Sequence, residues 1–181
     1  MTIYIYEAIK RKKENPNNVG ERCIREVSYD VVGKRAIDEL KKKTSNDVGI
    51  WRIYRTVNSR DARKAQIDLA KTLIDILSGV NDTKKTVETL WKDILSQPRN
   101  KAERKFLVDV DSACLVNKVS KIIRDCGRGL LLDTVATPNG FHLITLPFDP
   151  RIMKDSLTTE EFANVEIKKD ALVFVEKYKV R

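Results

Sequence analysis

The stretch KFLVDVDSA, residues 105–113, constrains the fold more than any other part of the sequence. Its aromatic and β-branched residues favour a β-strand, but Asp109 and Asp111 interrupt the apolar run. Aspartate is depleted in strands and is almost never fully buried unless it is paired or binds a metal. The chain is therefore predicted to contain a sheet in which partners compensate two carboxylates.

The remaining segments alternate between helical and strand patterns. A strand or a helix start is predicted at 3–9 and a polar turn with Pro16 and Gly20 at 11–21. Apolar spacing predicts helices at 30–43, 58–79, 87–95 and 115–124, the second of them capped by Asn58 or Ser59. Strands are predicted at 49–57 and 105–111, in a hairpin within 130–150, and from about 171. This mixed order predicts an α+β fold.

The length of 181 residues predicts one domain. The N-terminus has a short apolar run followed by charge, the reverse of a secretory signal, and no segment approaches the roughly 20 apolar residues of a membrane span. The three cysteines lack the spacing of a zinc site or a disulfide framework. We expect a soluble cytoplasmic protein with reduced thiols and no membrane partner.

The charge balance favours a polyanionic partner. Thirty-five Lys and Arg residues against 26 Asp and Glu residues give a formal net charge of +9. Such a surplus is typical of proteins that bind nucleic acid or nucleotide phosphates, although a basic surface also serves solubility alone.

Asp109 and Asp111 indicate a metal site. Side chains two residues apart on a strand project from the same face, so the two carboxylates are predicted to lie together. Hard oxygen ligands select Mg²⁺ or Mn²⁺, and paired ions of this kind serve phosphoryl transfer. Alternatively, one of the two aspartates caps the following helix and the other is solvated.

His142, the only histidine, follows a predicted tight turn. Exposed backbone N–H groups of Asn139 and Gly140 in that turn would suit phosphate oxygens, and the imidazole would add a donor. The alternative is a histidine that simply packs in the fold. Sequence alone does not place this hairpin beside the aspartates.

The order FLVDVD, then TPNGFH, then a late acidic strand resembles the archaeo-eukaryotic primase superfamily, as does the segment WRIYRTVNSRDARKAQIDLAKTLI. The resemblance covers about 50–178. It implies a primase-type, RRM-like catalytic core at 50–181, with a mixed or antiparallel sheet packed by helices, preceded by a helical and strand portion at 1–49. The spacing before the third motif is shorter than is common in the family, and Asn139–Gly140–Phe141 stands where a serine commonly precedes the x-H pair.

The resemblance also implies site residues. Asp109 and Asp111 would hold two Mg²⁺ or Mn²⁺ ions, and His142 would contact the triphosphate. Asp170 fits best as the third carboxylate, with Glu166 and Asp149 as alternatives.

Nucleic acid is expected to contact basic residues near a helix start, which favours anions: Arg55, Arg60 and Lys64. A solvated helix face is the alternative for this group.

Three functions remain open from the sequence. The first is a primase–polymerase nucleotidyltransferase acting in DNA replication, with nucleoside triphosphates and nucleic acid as partners and with a helicase or other replication protein beside it. The second is a nucleic-acid-binding module that keeps the scaffold without turnover. The third is a metal-dependent nuclease using the same carboxylates with water.

Overall fold

The computed structural model of the protein describes residues 1–16 and 21–181, so Gly20 of the predicted turn lies outside the described residues. In these ranges the helices are α1 (Lys34–Thr44), α2 (Ala62–Leu77), α3 (Val87–Ser96), α4 (Val116–Cys126), α5 (Arg151–Ser156) and α6 (Thr159–Phe162). The strands are β1 (Thr2–Lys10), β2 (Arg22–Ser28), β3 (Gly49–Thr56), β4 (Arg60–Asp61), β5 (Phe106–Val110), β6 (Leu131–Ala136), β7 (Phe141–Thr145), β8 (Val165–Lys168) and β9 (Leu172–Val180). No helix of the described part is both long and apolar enough to cross a membrane.

The chain forms two compact units, one of Met1–Glu103 with Val175–Arg181 and one of Arg104–Phe174. One sheet has the strand order β2-β1-β3-β9, with β4 also paired to β1, and the other has the order β6-β7-β5-β8. The prediction of an α+β fold with a mixed or antiparallel sheet packed by helices is confirmed in its antiparallel form, with two sheets in place of one. The division of the sequence near residue 50 stays a prediction.

In the first unit, β1 lies at the centre and is buried on both faces. Ile3 and Ile5 pack with α2 and α3, whereas Tyr6 and Ala8 pack with α1 and β3. This double burial explains why the period of the segment at 3–9 is ambiguous in the sequence: both faces of the strand are apolar, so the polar alternation of a half-exposed strand is lost.

The predicted cap of α2 is wrong. Asp61, and neither Asn58 nor Ser59, is the N-cap, and its carboxylate accepts hydrogen bonds from the N–H groups of Arg63 and Lys64 at 2.9 and 3.2 Å. Asn58 and Ser59 are buried before the helix starts. The short strand β4 separates them from it, which the helical spacing alone does not reveal.

The second unit has the element order β5, α4, β6, β7, the helical pair α5 and α6, and β8. Its strands pair antiparallel, with β5 between β7 and β8. Val108 and Val110 of β5 face the helices and pack with Val119 and Ile123 of α4 in one apolar cluster. The alternate residues of β5, including Asp109, therefore project from the opposite face of this sheet.

Gly140 fixes the turn between β6 and β7 against the end of β5. A Cβ at this position would overlap the carbonyl oxygen of Val110 and come within 3.0 Å of the Cα of Asp111. We expect Gly140→Ala to lower the free energy of unfolding by about 2–3 kcal/mol, because backbone must move to admit the methyl group. Urea unfolding measures this loss.

The matched control is Asn139→Ala, since Asn139 is the exposed neighbour in the same turn. That variant is expected to unfold at nearly the same urea concentration as the wild type. An equal midpoint for Gly140→Ala would contradict the close approach.

Candidate functional site

Asp109 lies in the middle of the β5 pairings with both neighbouring strands. It is opposite His142 of β7 on one side and opposite Glu166 of β8 on the other. Directly opposite residues in antiparallel strands point to the same face, with Cβ atoms about 4.5–5.5 Å apart. His142, Asp109 and Glu166 thus form one line across three strands, which we name the carboxylate row.

Asp111 lies one residue beyond the end of β5 and is exposed. Its N–H donates to the carbonyl oxygen of Asn164 at 3.0 Å, which continues the pairing toward β8. Asp111 therefore lies outside the carboxylate row, but its charge still acts on His142 and opposes the lowering of the pKa of that imidazole.

His142 is buried and oriented by the backbone. Its Nδ1 accepts the N–H of Phe174 at 3.1 Å, so this nitrogen carries no proton. Burial lowers the pKa of His142, against the opposing effect of the Asp109 carboxylate. The neutral ring then carries its hydrogen on Nε2, which lies 3.5 Å from Oδ1 of Asp109.

Lys168 joins the two carboxylates of the carboxylate row. Its Nζ lies 3.0 Å from Oδ2 of Asp109 and 2.8 Å from Oε2 of Glu166. Burial acts to lower the pKa of Lys168, but the hydrogen bonds to Glu166 and Asp109 raise it overall. The sequence reasoning missed this residue, although its position two residues after Glu166 on a strand places both on one face.

The structure distinguishes the three candidates for the third carboxylate by position. Asp170 lies in the bend after β8, whereas Glu166 is within β8 and opposite Asp109. Asp149 pairs with Arg151, whose Nη2 lies 2.6 Å from Oδ2, and hydrogen bonds from Arg151 lower the pKa of Asp149. Of the three, Glu166 belongs to the carboxylate row.

The turn before β7 does not offer both backbone donors that the sequence suggested. The N–H of Gly140 donates to Oγ1 of Thr137 at 3.0 Å, and its carbonyl accepts from the N–H of Thr137 at 2.8 Å. The turn closes on itself through these two bonds. A phosphate cradle at this turn would have to rely on Asn139, which is exposed.

The basic residues proposed for nucleic acid differ in exposure, and all belong to the first unit. Arg60 is 4% exposed in β4, the opposite of what a phosphate contact requires. The guanidinium of Arg55 lies over the ring of Tyr4 at 5.8 Å from its centre. Lys64 is exposed, but Asp61 already occupies the helix start beside it.

The second unit contains carboxylate oxygens, which are the type of ligand that hard divalent cations prefer. Asp109 and Glu166 converge on one cationic group, the ammonium of Lys168, through carboxylate oxygens of the type that Mg²⁺ and Mn²⁺ prefer. Within 1–16 and 21–181, no group of three or more His, Cys, Asp or Glu side chains is arranged to hold a metal ion. Of the residues predicted to bind metal, the structure brings Asp109 and Glu166 together, with the ammonium of Lys168 between their carboxylates.

Models of protein families, curated proteins and solved structures were each compared with this chain. None of the three comparisons finds a match.

Proposed function

We propose that this protein is a metal-dependent nucleotidyltransferase of primase–polymerase type, with its catalytic centre in the second unit. The observation that carries the proposal is the carboxylate row, in which His142, Asp109 and Glu166 meet across β7, β5 and β8. A donor and two carboxylates side by side can bind a triphosphate and the cations that accompany it.

The topology of the second unit supports the same proposal. The order of strands and helices in Arg104–Phe174 is βαββαβ, and the sheet order is β6-β7-β5-β8. This split βαβ arrangement is the one expected of an RRM-like core. The central strand β5 then carries Asp109, β8 carries Glu166, and β7 carries His142.

The proposed reaction joins a 3′ hydroxyl to the α-phosphate of a nucleoside triphosphate. The new P–O bond forms as the bond to pyrophosphate breaks, and the hydroxyl proton leaves to solvent. Asp109 and Glu166, with Asp111 at the edge, would hold Mg²⁺ or Mn²⁺, which neutralises charge on the phosphates when bound. His142 would donate its Nε2 hydrogen to a phosphate oxygen, with Phe174 keeping the ring in place.

The overall charge suits the substrates of this reaction. A net charge of +9 attracts both the triphosphate and a template strand, and it makes association dependent on salt. The chain's own contribution to catalysis is then positioning and charge compensation.

Incubation of the protein with a primed template and nucleoside triphosphates tests the proposal. We expect primer extension with Mg²⁺ or Mn²⁺ and at least about a hundredfold slower extension after chelation by EDTA, because the carboxylates would lose their cations. Extension is measured on gels over time.

Two other results would contradict the proposal. Template binding that EDTA does not change, with no extension, would indicate a nucleic-acid-binding module. Release of mononucleotides from the primer, without incorporation, would indicate a nuclease.

A further inference from the structure

Lys168 occupies the space between the two carboxylates of the carboxylate row. Its ammonium lies within 3.0 Å of an oxygen of Asp109 and within 2.8 Å of an oxygen of Glu166, while its side chain remains 35% exposed. In the pairing of β5 with β8, Lys168 is opposite Leu107, two residues away from the Asp109–Glu166 pair and therefore on the same face. The register of the sheet therefore brings the ammonium to this place.

The ammonium compensates a pair of like charges. Two carboxylates directly opposite each other in neighbouring strands repel, which is unfavourable for the pairing of the strands. A single positive charge bonded to both removes much of this repulsion. A divalent cation bound through the same oxygens would compete with Lys168 for their lone pairs and would repel its charge.

We infer that Lys168 is an internal counter-ion of the carboxylate pair, which a divalent cation must displace in order to bind. The inference rests on the proposed function, because it takes Asp109 and Glu166 as the cation ligands. Lys168 carries one positive charge on a flexible side chain, which is partly exposed and can therefore move away from the carboxylates into solvent. The lysine thus sets the cation affinity without being a ligand itself.

Binding of Mn²⁺ to the full chain, in the absence of nucleotide, tests this inference. The free ion is followed by electron paramagnetic resonance during a titration. We expect Lys168→Met to bind Mn²⁺ at least about tenfold more tightly than the wild type, because the repulsion between the ammonium and the divalent cation is lost. Lys168→Arg keeps the charge and is expected to stay within about threefold of the wild type.

Lys121→Met is the matched control, since Lys121 is exposed on α4 and the variant loses the same charge. Its affinity for Mn²⁺ is expected to match the wild type. Lys168→Gln provides a second neutral variant, and circular dichroism checks that each variant is folded.

The outcomes separate this inference from the proposed function. If Asp109→Asn abolishes Mn²⁺ binding but both neutral Lys168 variants bind no more tightly than the wild type, the counter-ion role is overturned and the metal-dependent function stands. If neither the wild type nor any variant binds Mn²⁺, both are overturned. Equal tightening by Lys121→Met would also overturn the inference, because the effect would then be one of overall charge.

Discussion

Asp109→Asn is expected to lower the rate of nucleotide incorporation at least about a thousandfold, since loss of the proposed cation ligand would remove several kcal/mol of charge compensation at the reacting phosphate. Asp109 is the central residue of the carboxylate row: it is opposite both His142 and Glu166 and is bonded to Lys168. Asparagine keeps the size of the side chain and removes its charge. The rate is measured by primer extension at saturating triphosphate.

Asp125→Asn is the control for this substitution, because Asp125 is an exposed carboxylate of α4 in the same unit. We expect that variant to extend primers at the wild-type rate. Retention of more than about a tenth of the activity by a folded Asp109→Asn protein would contradict the assignment of Asp109 as a cation ligand.

The same assay distinguishes the candidates for the third carboxylate. Glu166→Gln is expected to lose activity to nearly the same extent as Asp109→Asn, whereas Asp170→Asn keeps most of it. The reason is position: Glu166 is opposite Asp109, and Asp170 lies in the bend beyond β8. The reverse result would favour the assignment that the family resemblance alone suggests.

Glu14→Gln is expected to lower the free energy of unfolding by about 3 kcal/mol, because it leaves a buried arginine without its counter-ion. Glu14 accepts two hydrogen bonds from Arg52, at 2.9 and 2.7 Å, and one from Lys177 at 2.9 Å. The side chains of Glu14 and Arg52 are only 12% and 9% exposed. Urea unfolding at neutral pH measures the loss.

Glu88→Gln is the control, since Glu88 pairs with Lys92 at 2.6 Å but is 67% exposed. Exposed pairs contribute little, so its unfolding midpoint is expected to stay near the wild type. Equal effects of the two substitutions would contradict the importance of burial at Glu14.

The ion pairs of Glu14 with Arg52 and Lys177 should also make the free energy of unfolding depend on pH. Burial acts to raise the pKa of Glu14, but hydrogen bonds from Arg52 and Lys177 outweigh it and lower the pKa from 4.5 to about 2. The stabilisation is therefore complete above pH 4.5 and is lost as the pH falls toward 2. After allowance for solvent screening, about 2 kcal/mol should disappear across this range in the wild type and not in Glu14→Gln.

Local patterns predicted the elements that shape the second unit. The strand at 105–111, the helix at 115–124 and the hairpin within 130–150 correspond to β5, α4 and the pair β6 and β7. Each of these depends on neighbouring residues in the sequence, namely alternation, helical spacing and turn residues. β2 was not predicted, because its partly exposed, highly charged sequence RCIREVS gains its strand state from pairing with β1.

The site was predictable only in part, for a related reason. The acidic strand and the lone histidine can be read from the sequence, but the pairing of Asp109 with His142 depends on strand register, which distant residues determine. Lys168 was missed because its significance arises only once β8 lies beside β5. Arg60 was expected at the surface on the basis of charge, whereas packing places it in the interior.

The close packing of Gly140 against β5 limits the insertions that the loop between β6 and β7 can accept. Surface loops commonly accept insertions, but one added residue between β6 and β7 that shifted the pairing by a single position would turn the imidazole of His142 toward the apolar helices. A slide of the hairpin along β5 would also replace Gly140 by a residue with a Cβ, which would overlap the carbonyl oxygen of Val110. The length of this loop is therefore restricted, because the position of His142 opposite Asp109 depends on it.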